Sequence, residues 1–221
     1  MTLPLTILSL IIGILIAFPL GMLAALRHGR PSSRVVSSTA ITLAAVPVMW
    51  AGMVLILIFS SWLGWFPSQG FPREGWAQPG LALLSLILPA ITIGLVEGAV
   101  LLRFVRSAAL SALFSDHVRT AMARGMTRSQ ALATRGMPGV GLSIISLLGL
   151  QVAGLLVGAV IIEQLFSLPG IGRMLVTDVA NRNLPMVQTT LLVLTGIILA
   201  VGTLVDIVHR ALDPRLRLES A

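Results

Sequence analysis

The 221-residue sequence has no cysteine, only 5% aromatic residues and only 10% charged ones, and all fifteen of its basic residues are arginine. The lack of cysteine excludes disulfides and thiolate metal sites. His117 and His209 stand apart from other plausible ligands, so metal binding is not expected. There is no G-x-x-x-x-G-K-[ST] phosphate loop, and thus no expected ATP site or other bound cofactor. No carboxylate pair, metal cluster or nucleophile–base set stands out, which argues against an enzyme. A net charge of +7 suggests nucleic acid only where a basic face lies on a soluble domain, and here the arginines sit in short segments between apolar runs. No linker, low-complexity tract or internal repeat divides the chain, so 1–221 reads as one domain.

What the chain does have is apolar length. Hydrophobic residues make up 56%, and the mean hydropathy is +0.99. Five runs approach or exceed the ~20 residues that a helix needs to cross a bilayer: Leu3–Leu26, Val35–Leu63, Leu81–Leu102, Gly139–Ile162 and Asn183–Val205. Four carry no charge, and the third contains only Glu97. Backbone polar groups in lipid must be satisfied within the segment, so these runs predict helices. The alternating ten-residue segments of a barrel are absent. The expected class is an all-α, multi-pass membrane protein.

Arg27, Arg30 and Arg34 lie in the first loop, Arg103, Arg106, Arg119, Arg124, Arg128 and Arg135 in the third, and Arg210, Arg215 and Arg217 in the tail. The alternate loops hold only Arg73, Arg173 and Arg182. The positive-inside rule therefore predicts a cytoplasmic central loop and C-terminus, with the N-terminus outside. The first run lacks the basic flank and cleavage site of a signal peptide. Five spans starting outside insert awkwardly, which leads to the expectation that a preceding helix is missing from this chain.

Pro19, Pro47 and Pro89 fall within the runs, where each removes a backbone donor and tends to kink a helix. Pro47 and Pro89, with Glu97, are candidates for a path or gate, because an intramembrane charge is expensive and usually functional. The alternative for Glu97 is a place near the cytoplasmic end of its helix, neutral or paired with Arg103 or Arg106. Gly154 and Gly158 form a G-x-x-x-G pair extended by Gly149 and Ala153, which suits packing within the subunit or against a partner. Asp206 and Arg210 are placed for an i, i+4 pair. The segment 64–80 is rich in Gly, Pro and Trp, with Trp62, Trp65 and Trp76 suited to headgroup depth. In 163–185, Leu168-Pro169-Gly170-Ile171-Gly172 precedes a short amphipathic helix through Met174, Leu175 and Val179, at the membrane surface or folded into a vestibule. Glu163, at the end of the fourth run, is placed to pair with Arg173 or to meet a partner.

The polar segment Asp116–Pro138 is the most telling. Ser115 can cap a helix that carries Asp116 in its first turn. Gly125 ends that helix, and Thr127-Arg128-Ser129-Gln130 reads as a capping box for a second, which is expected to stop near Gly136 and Pro138. Small or flexible residues at Ala121, Met122, Ala123 and Met126, flanked by Arg119, Arg124 and Arg128, suggest a knob for a groove on a soluble partner. A plain solvated loop is the alternative.

This segment resembles the signature loop of bacterial ABC importer permeases, E-A-A, three residues, Gly, nine residues, I-x-L-P. Arg119-Thr120-Ala121 take the first places, Gly125 the glycine, and Arg135, Met137 and Pro138 the last. Val118–Gly125 is similar to the V-R-T-A-x-A-[RK]-G form of the peptide, nickel and opine branch. Leu63–Pro67, Leu88-Pro89-Ala90, Glu163 with Pro169–Arg173, Leu184–Gln188 and Leu212–Arg215 also match that branch. His117, Arg135 and Gly139 depart from it, where an aromatic, a histidine-like residue and an asparagine are usual. Members are longer by a first helix and an outer region.

The resemblance implies the transmembrane domain of a type I importer in the bacterial inner membrane, with five helices here and the first family helix missing. It implies a path for di- or oligopeptides, or alternatively for nickel chelates, glutathione or opines; a motor-free channel or carrier is a weaker alternative. It also implies a second, homologous permease subunit, as a heterodimer, two cytoplasmic ATPases that use the ATP, and an extracytoplasmic binding protein, in lipid and without nucleic acid. The docking loop falls at 103–138, with Arg119, Thr120, Ala121, Arg124, Gly125, Met126, Thr127 and Pro138 as contacts. Glu163, Pro169, Gly170, Gly172 and Arg173 become candidates for binding-protein contact.

Overall fold

A computed structural model describes residues 1–212, without the side chains of Leu150, Ala153 and Leu212. Arg215, Arg217 and most of the Leu212–Arg215 motif lie outside the described residues. Every regular element among the described residues is helical: α1 Thr2–Leu26, α2 Pro31–Ala44, α3 Val48–Leu55, α4 Pro79–Leu113, α5 Asp116–Ala123, α6 Arg128–Ala131, α7 Met137–Leu165, α8 Ile171–Ala180 and α9 Leu184–Leu212. A π-helical stretch, Ile56–Trp62, extends α3, and another, Leu132–Gly136, joins α6 to α7. Four helical stretches are long and apolar enough to cross a membrane. They correspond to the first, third, fourth and fifth apolar runs.

The second run behaves differently. Val35–Leu63 was expected as one span, but α2 and the α3 stretch meet at a bend of 102°. Pro47 lacks an N–H and disfavours helical backbone at the residue before it, so α2 stops at Ala44 and Pro47 becomes the N-cap of α3. Pro19 and Pro89, by contrast, lie inside continuous helices.

Helix α1 makes its most extensive contact with α4. A Cβ added at Gly98 would lie 3.1 Å from the Gly13 Cα, and one at Gly13 would lie 3.4 Å from the Gly94 carbonyl. Small residues permit this approach of two backbones, where dispersion replaces the hydrophobic drive that lipid cannot supply. Gly158 packs toward Ile93 of α4 and Gly149 toward Val205 of α9, so both serve packing within the subunit.

Two apolar cores follow. Leu5, Leu86, Ile93, Leu155, Ile162 and Phe166 fill the end near the N-terminus of α1. Ala17, Leu101, Val105, Leu113, Val118 and Leu132 fill the other. Thr2 accepts a hydrogen bond from the Ile171 N–H at 2.9 Å, and His28 Nδ1 lies 3.5 Å from an Arg106 Nη, which places the start of α1 beside α8 and its end beside the arginine-bearing part of α4. The segment after α3 is tied to the same end as α8, where Gly70 N donates to the Phe166 carbonyl at 2.8 Å. There Trp65 packs on Phe59 and Trp76 on Phe71, with ring centroids 5.8 and 5.9 Å apart.

Candidate functional site: a projecting helical turn and the groove beneath it

The turn that joins α5 to α6 projects from the arginine-bearing end. Arg124 is the C-cap of α5. Gly125 follows at φ +94, a conformation that costs an L side chain about 1–2 kcal/mol. Its N–H bonds the Met122 carbonyl at 3.0 Å, and the Met126 N–H bonds the Ala121 carbonyl at 3.3 Å, which is the paired closure of a Schellman cap. The next helix starts on the expected capping box: the Thr127 hydroxyl accepts from Gln130 N at 3.4 Å, and Gln130 Oε1 accepts from Thr127 N at 3.1 Å. Two helix ends thus meet over a few residues, each with some of its orphan amides or carbonyls satisfied by the cap.

One capping expectation is corrected. Ser115 holds the N-cap position of α5, but its hydroxyl donates back to the Ala112 carbonyl at 2.6 Å and makes no cap bond. The second helix also does not stop at Gly136–Pro138. It runs through the π-helical turn into α7, with Pro138 in the first turn, where the absent N–H has no helical partner to lose.

The turn is fastened to the bundle. Val118, Ala121, Ala131 and Leu132 are no more than 6% exposed and belong to the same core as α1, α4 and α7. Enclosing Val118 and Leu132 contributes about 1.5–3 kcal/mol each. Ala121 was expected on the contact surface, but it faces the bundle and holds α5 down, because it lies one helical turn from buried Val118. Met122 is half-buried. Arg119, Thr120, Ala123, Arg124, Gly125, Met126, Thr127 and Arg128 are exposed, as is Pro138 further on.

Beneath the turn lies a cavity of ≈ 820 Å³ whose lining includes Ser111, Ser115, His117, Arg135, Ser143 and His209. His117 and His209, distant in sequence, share this cavity. Among the described residues no three of His, Asp or Glu gather where they would hold a metal. The cavity adjoins a groove of ≈ 450 Å³ between α4 and α7, lined by Phe104, Ser107, Ser111, Ser143 and Ser146, among others. Ser143 and Ser146 donate to the carbonyls of Gly139 and Leu142, which leaves their oxygens free to accept. Sequence reasoning missed these serines; their i, i+3 and i, i+4 spacing on helices read only as apolar was the available signal.

Glu97 pairs with neither Arg103 nor Arg106. Gln151 of α7 donates from Nε2 to its backbone carbonyl at 2.8 Å and its Oε2 at 3.2 Å. Pro89 is buried in α4, eight residues before Glu97, and Pro47 is exposed at the bend between α2 and α3.

Glu163 also departs from expectation. It is 0% exposed, and its Oε2 accepts from Gly172 N at 2.8 Å, at the start of α8. A carboxylate stabilises the positive end of a helix, and this one closes the corner between α7 and α8. A side chain at Gly170 would overlap the Glu163 carboxyl, and one at Gly172 would overlap Val160 of α7. Arg173 is not its partner; its guanidinium donates to the Ser167 carbonyl at 2.8 Å. Of the candidates for contact with a binding protein, Pro169 and Arg173 are exposed, whereas Glu163, Gly170 and Gly172 are buried.

A bundle of apolar helices, four of them long enough to cross a membrane, with a capped and exposed turn at one end and a serine-lined groove beside it, is the architecture of a multi-pass membrane protein. Residues 17–218 match the family of binding-protein-dependent transport system inner membrane components, and the chain belongs to that family. It is 35% identical to a putative peptide transport system permease protein of Brucella abortus, over 98% of this chain and 68% of that one. It is 32% identical to the dipeptide transport system permease protein of Escherichia coli, over 98% and 70%. It is also 33% identical to a glutathione transport system permease protein of Salmonella choleraesuis, over 98% and 68%. The fold is that of the inward-facing MetNI methionine ABC transporter, with a TM-score of 0.77 at 18% identity over 96% of this chain and 93% of that one. The protein is a permease subunit of an ABC importer in the bacterial inner membrane, where the family works with further permease subunits and ATPases.

Proposed function

We propose that this chain, as a single domain over 1–221, forms half of the translocation path for di- or oligopeptides and couples it to an ATPase through the docking region 103–138. The observation that carries this reading is the exposed turn Arg119–Arg128, closed by Gly125 and fastened by Val118, Ala121, Ala131 and Leu132 to the core of α1, α4 and α7. Because the turn and the bundle share one close-packed core, a displacement of the turn moves the helices with it. Arg119, Thr120, Arg124, Gly125, Met126 and Thr127 meet the motor, while Ala121 positions them. The arginine-bearing end faces the cytoplasm, on the inside excess of positive charge.

A homologous second permease subunit completes the path as a heterodimer. Two ATPase subunits hydrolyse ATP, and this chain holds no ATP site of its own. An extracytoplasmic binding protein docks at the α8 end, with Pro169 and Arg173 among its contacts. The relatives named for peptides and dipeptides support the substrate class, and the relative named for glutathione supports a tripeptide within it. The test is reconstitution with partner subunits in proteoliposomes. Gly125→Glu and deletion of Met126–Arg128 are expected to abolish ATPase co-purification and ATP-driven dipeptide uptake while the chain remains folded. Normal uptake in both variants would overturn the reading.

A further inference from the structure

Glu97 lies within the apolar part of α4, and its surroundings are built around it. Gln151 holds the carboxyl with the two hydrogen bonds described above. Gln151 is itself only 8% exposed, and its buried Oε1 has no partner. The carboxyl lies over Gly154, where an added Cβ would stand 3.8 Å from Oε1 and 4.0 Å from Oε2. Gly154 is exposed, and Val157, one turn along, is 62% exposed. Glu97 is itself half-buried, and a glycine at this point leaves its carboxyl partly open toward the outside of the subunit.

A charge facing lipid at mid-span costs about 2.5–3.5 kcal/mol, so a partly open carboxyl belongs toward water or a partner subunit. The same side of α4 continues from Glu97 to Phe104 and Ser111 at seven-residue spacing, and Ser107 lies between them. Those residues line the groove shared with Ser143 and Ser146 of α7. The face therefore runs from Glu97 to the cavity beneath the docking turn. At its apolar end it offers a carboxyl oxygen of Glu97, while the Gln151 Nε2 donors are already committed to that residue and the Gln151 Oε1 is buried. That carboxyl oxygen is complementary to a hydrogen-bond-donating cation.

We propose that Glu97, positioned by Gln151 and left partly open by Gly154, is a subsite for a cationic amine of the transported solute, the ammonium group of a peptide. The proposal rests on the peptide reading above and adds the group that the path recognises. The Gln151 bonds fix the carboxyl toward α7, so that the ammonium meets a preset acceptor.

The absence of cysteine from this chain provides the test. In the assembled transporter in proteoliposomes, Gly154→Cys is treated with methanethiosulfonates carrying either trimethylammonium or sulfonate, and modification is read by mass on this chain. The added side chain meets Glu97 only at ordinary contact distance, so the variant retains the fold. After normalisation to a free thiol, the cationic reagent is expected to react at least tenfold faster than the anionic one, and Glu97→Gln in the same background is expected to abolish the preference. Equal rates for the two reagents, or no reaction with either, would overturn the subsite. A retained preference without ATP-driven peptide uptake by the unsubstituted complex would instead overturn the peptide assignment.

Discussion

Replacing Glu163 tests whether the corner between α7 and α8 depends on one buried carboxyl. Glu163→Ala leaves the Gly172 N–H without its 2.8 Å acceptor in a site that is 0% exposed. An unsatisfied buried donor costs about 1–3 kcal/mol, and the lost methylene adds about 0.8 kcal/mol. Together these predict that α8 detaches more easily by about 2–4 kcal/mol. Glu163→Gln keeps an acceptor oxygen of the same reach and shape, and loses only the charge assistance, about 1 kcal/mol. Arg173 and Arg182 are exposed and offer tryptic sites on α8 and just after it. When opening is fast relative to cleavage, the rate follows the open population, so Glu163→Ala is expected to speed cleavage roughly 30- to 700-fold. Glu163→Gln is expected to speed it roughly fivefold. Equal rates in the parent, Gln and Ala proteins would refute the capping role, and an Ala effect no larger than the Gln effect would refute the part assigned to the lost acceptor.

Further outcomes follow from the same geometry. Gly98→Val places a side chain against the Gly13 backbone and is expected to cost about 1–3 kcal/mol, lowering the thermal midpoint of the purified protein; Gly141→Val, where a Cβ meets nothing within 4 Å, serves as its unaffected control. Thr127→Ala removes the reciprocal capping box and is expected to cost about 1 kcal/mol, read as roughly fivefold faster amide exchange at Gln130. Gly125→Ala is expected to cost about 1–2 kcal/mol through its positive φ, with local exchange in the turn accelerated accordingly.

The parts of this account that depend on local chemistry were legible in the sequence. The span positions follow from apolar length, and the division of arginines between alternate loops matches the two ends that Thr2–Ile171 and Arg106–His28 mark in the fold. The capping box at Thr127 and the glycine stop at Gly125 need only nearest neighbours, and both are present. What was not legible depends on partners distant in the chain. Gln151 lies 54 residues from Glu97, and nothing in a uniformly apolar helix marks which glutamine turns inward. The G-x-x-x-G pair on α7 is visible in the sequence, whereas the close approach of Gly13 to Gly98 joins residues on different helices that no local pattern links. Hydropathy cannot distinguish a straight span from two helices bent by 102° at Pro47, because length and composition are the same in both. The continuation through Pro138 was missed because a π-helical turn shifts the bonding register just where a proline would otherwise end the helix.

The proposed coupling depends on contact between the motor and the turn that joins α5 to α6. A photo-activated cross-linking amino acid placed at Met126, which is 38% exposed, tests it in the assembled transporter, with Leu192 on the exposed side of α9 as the comparison site. Met126 is expected to capture the ATPase subunit and Leu192 is not, and deleting Arg128 to disrupt the turn is expected to reduce the capture at Met126. Failure of Met126 to capture the ATPase, or equal capture from Leu192, would contradict that contact.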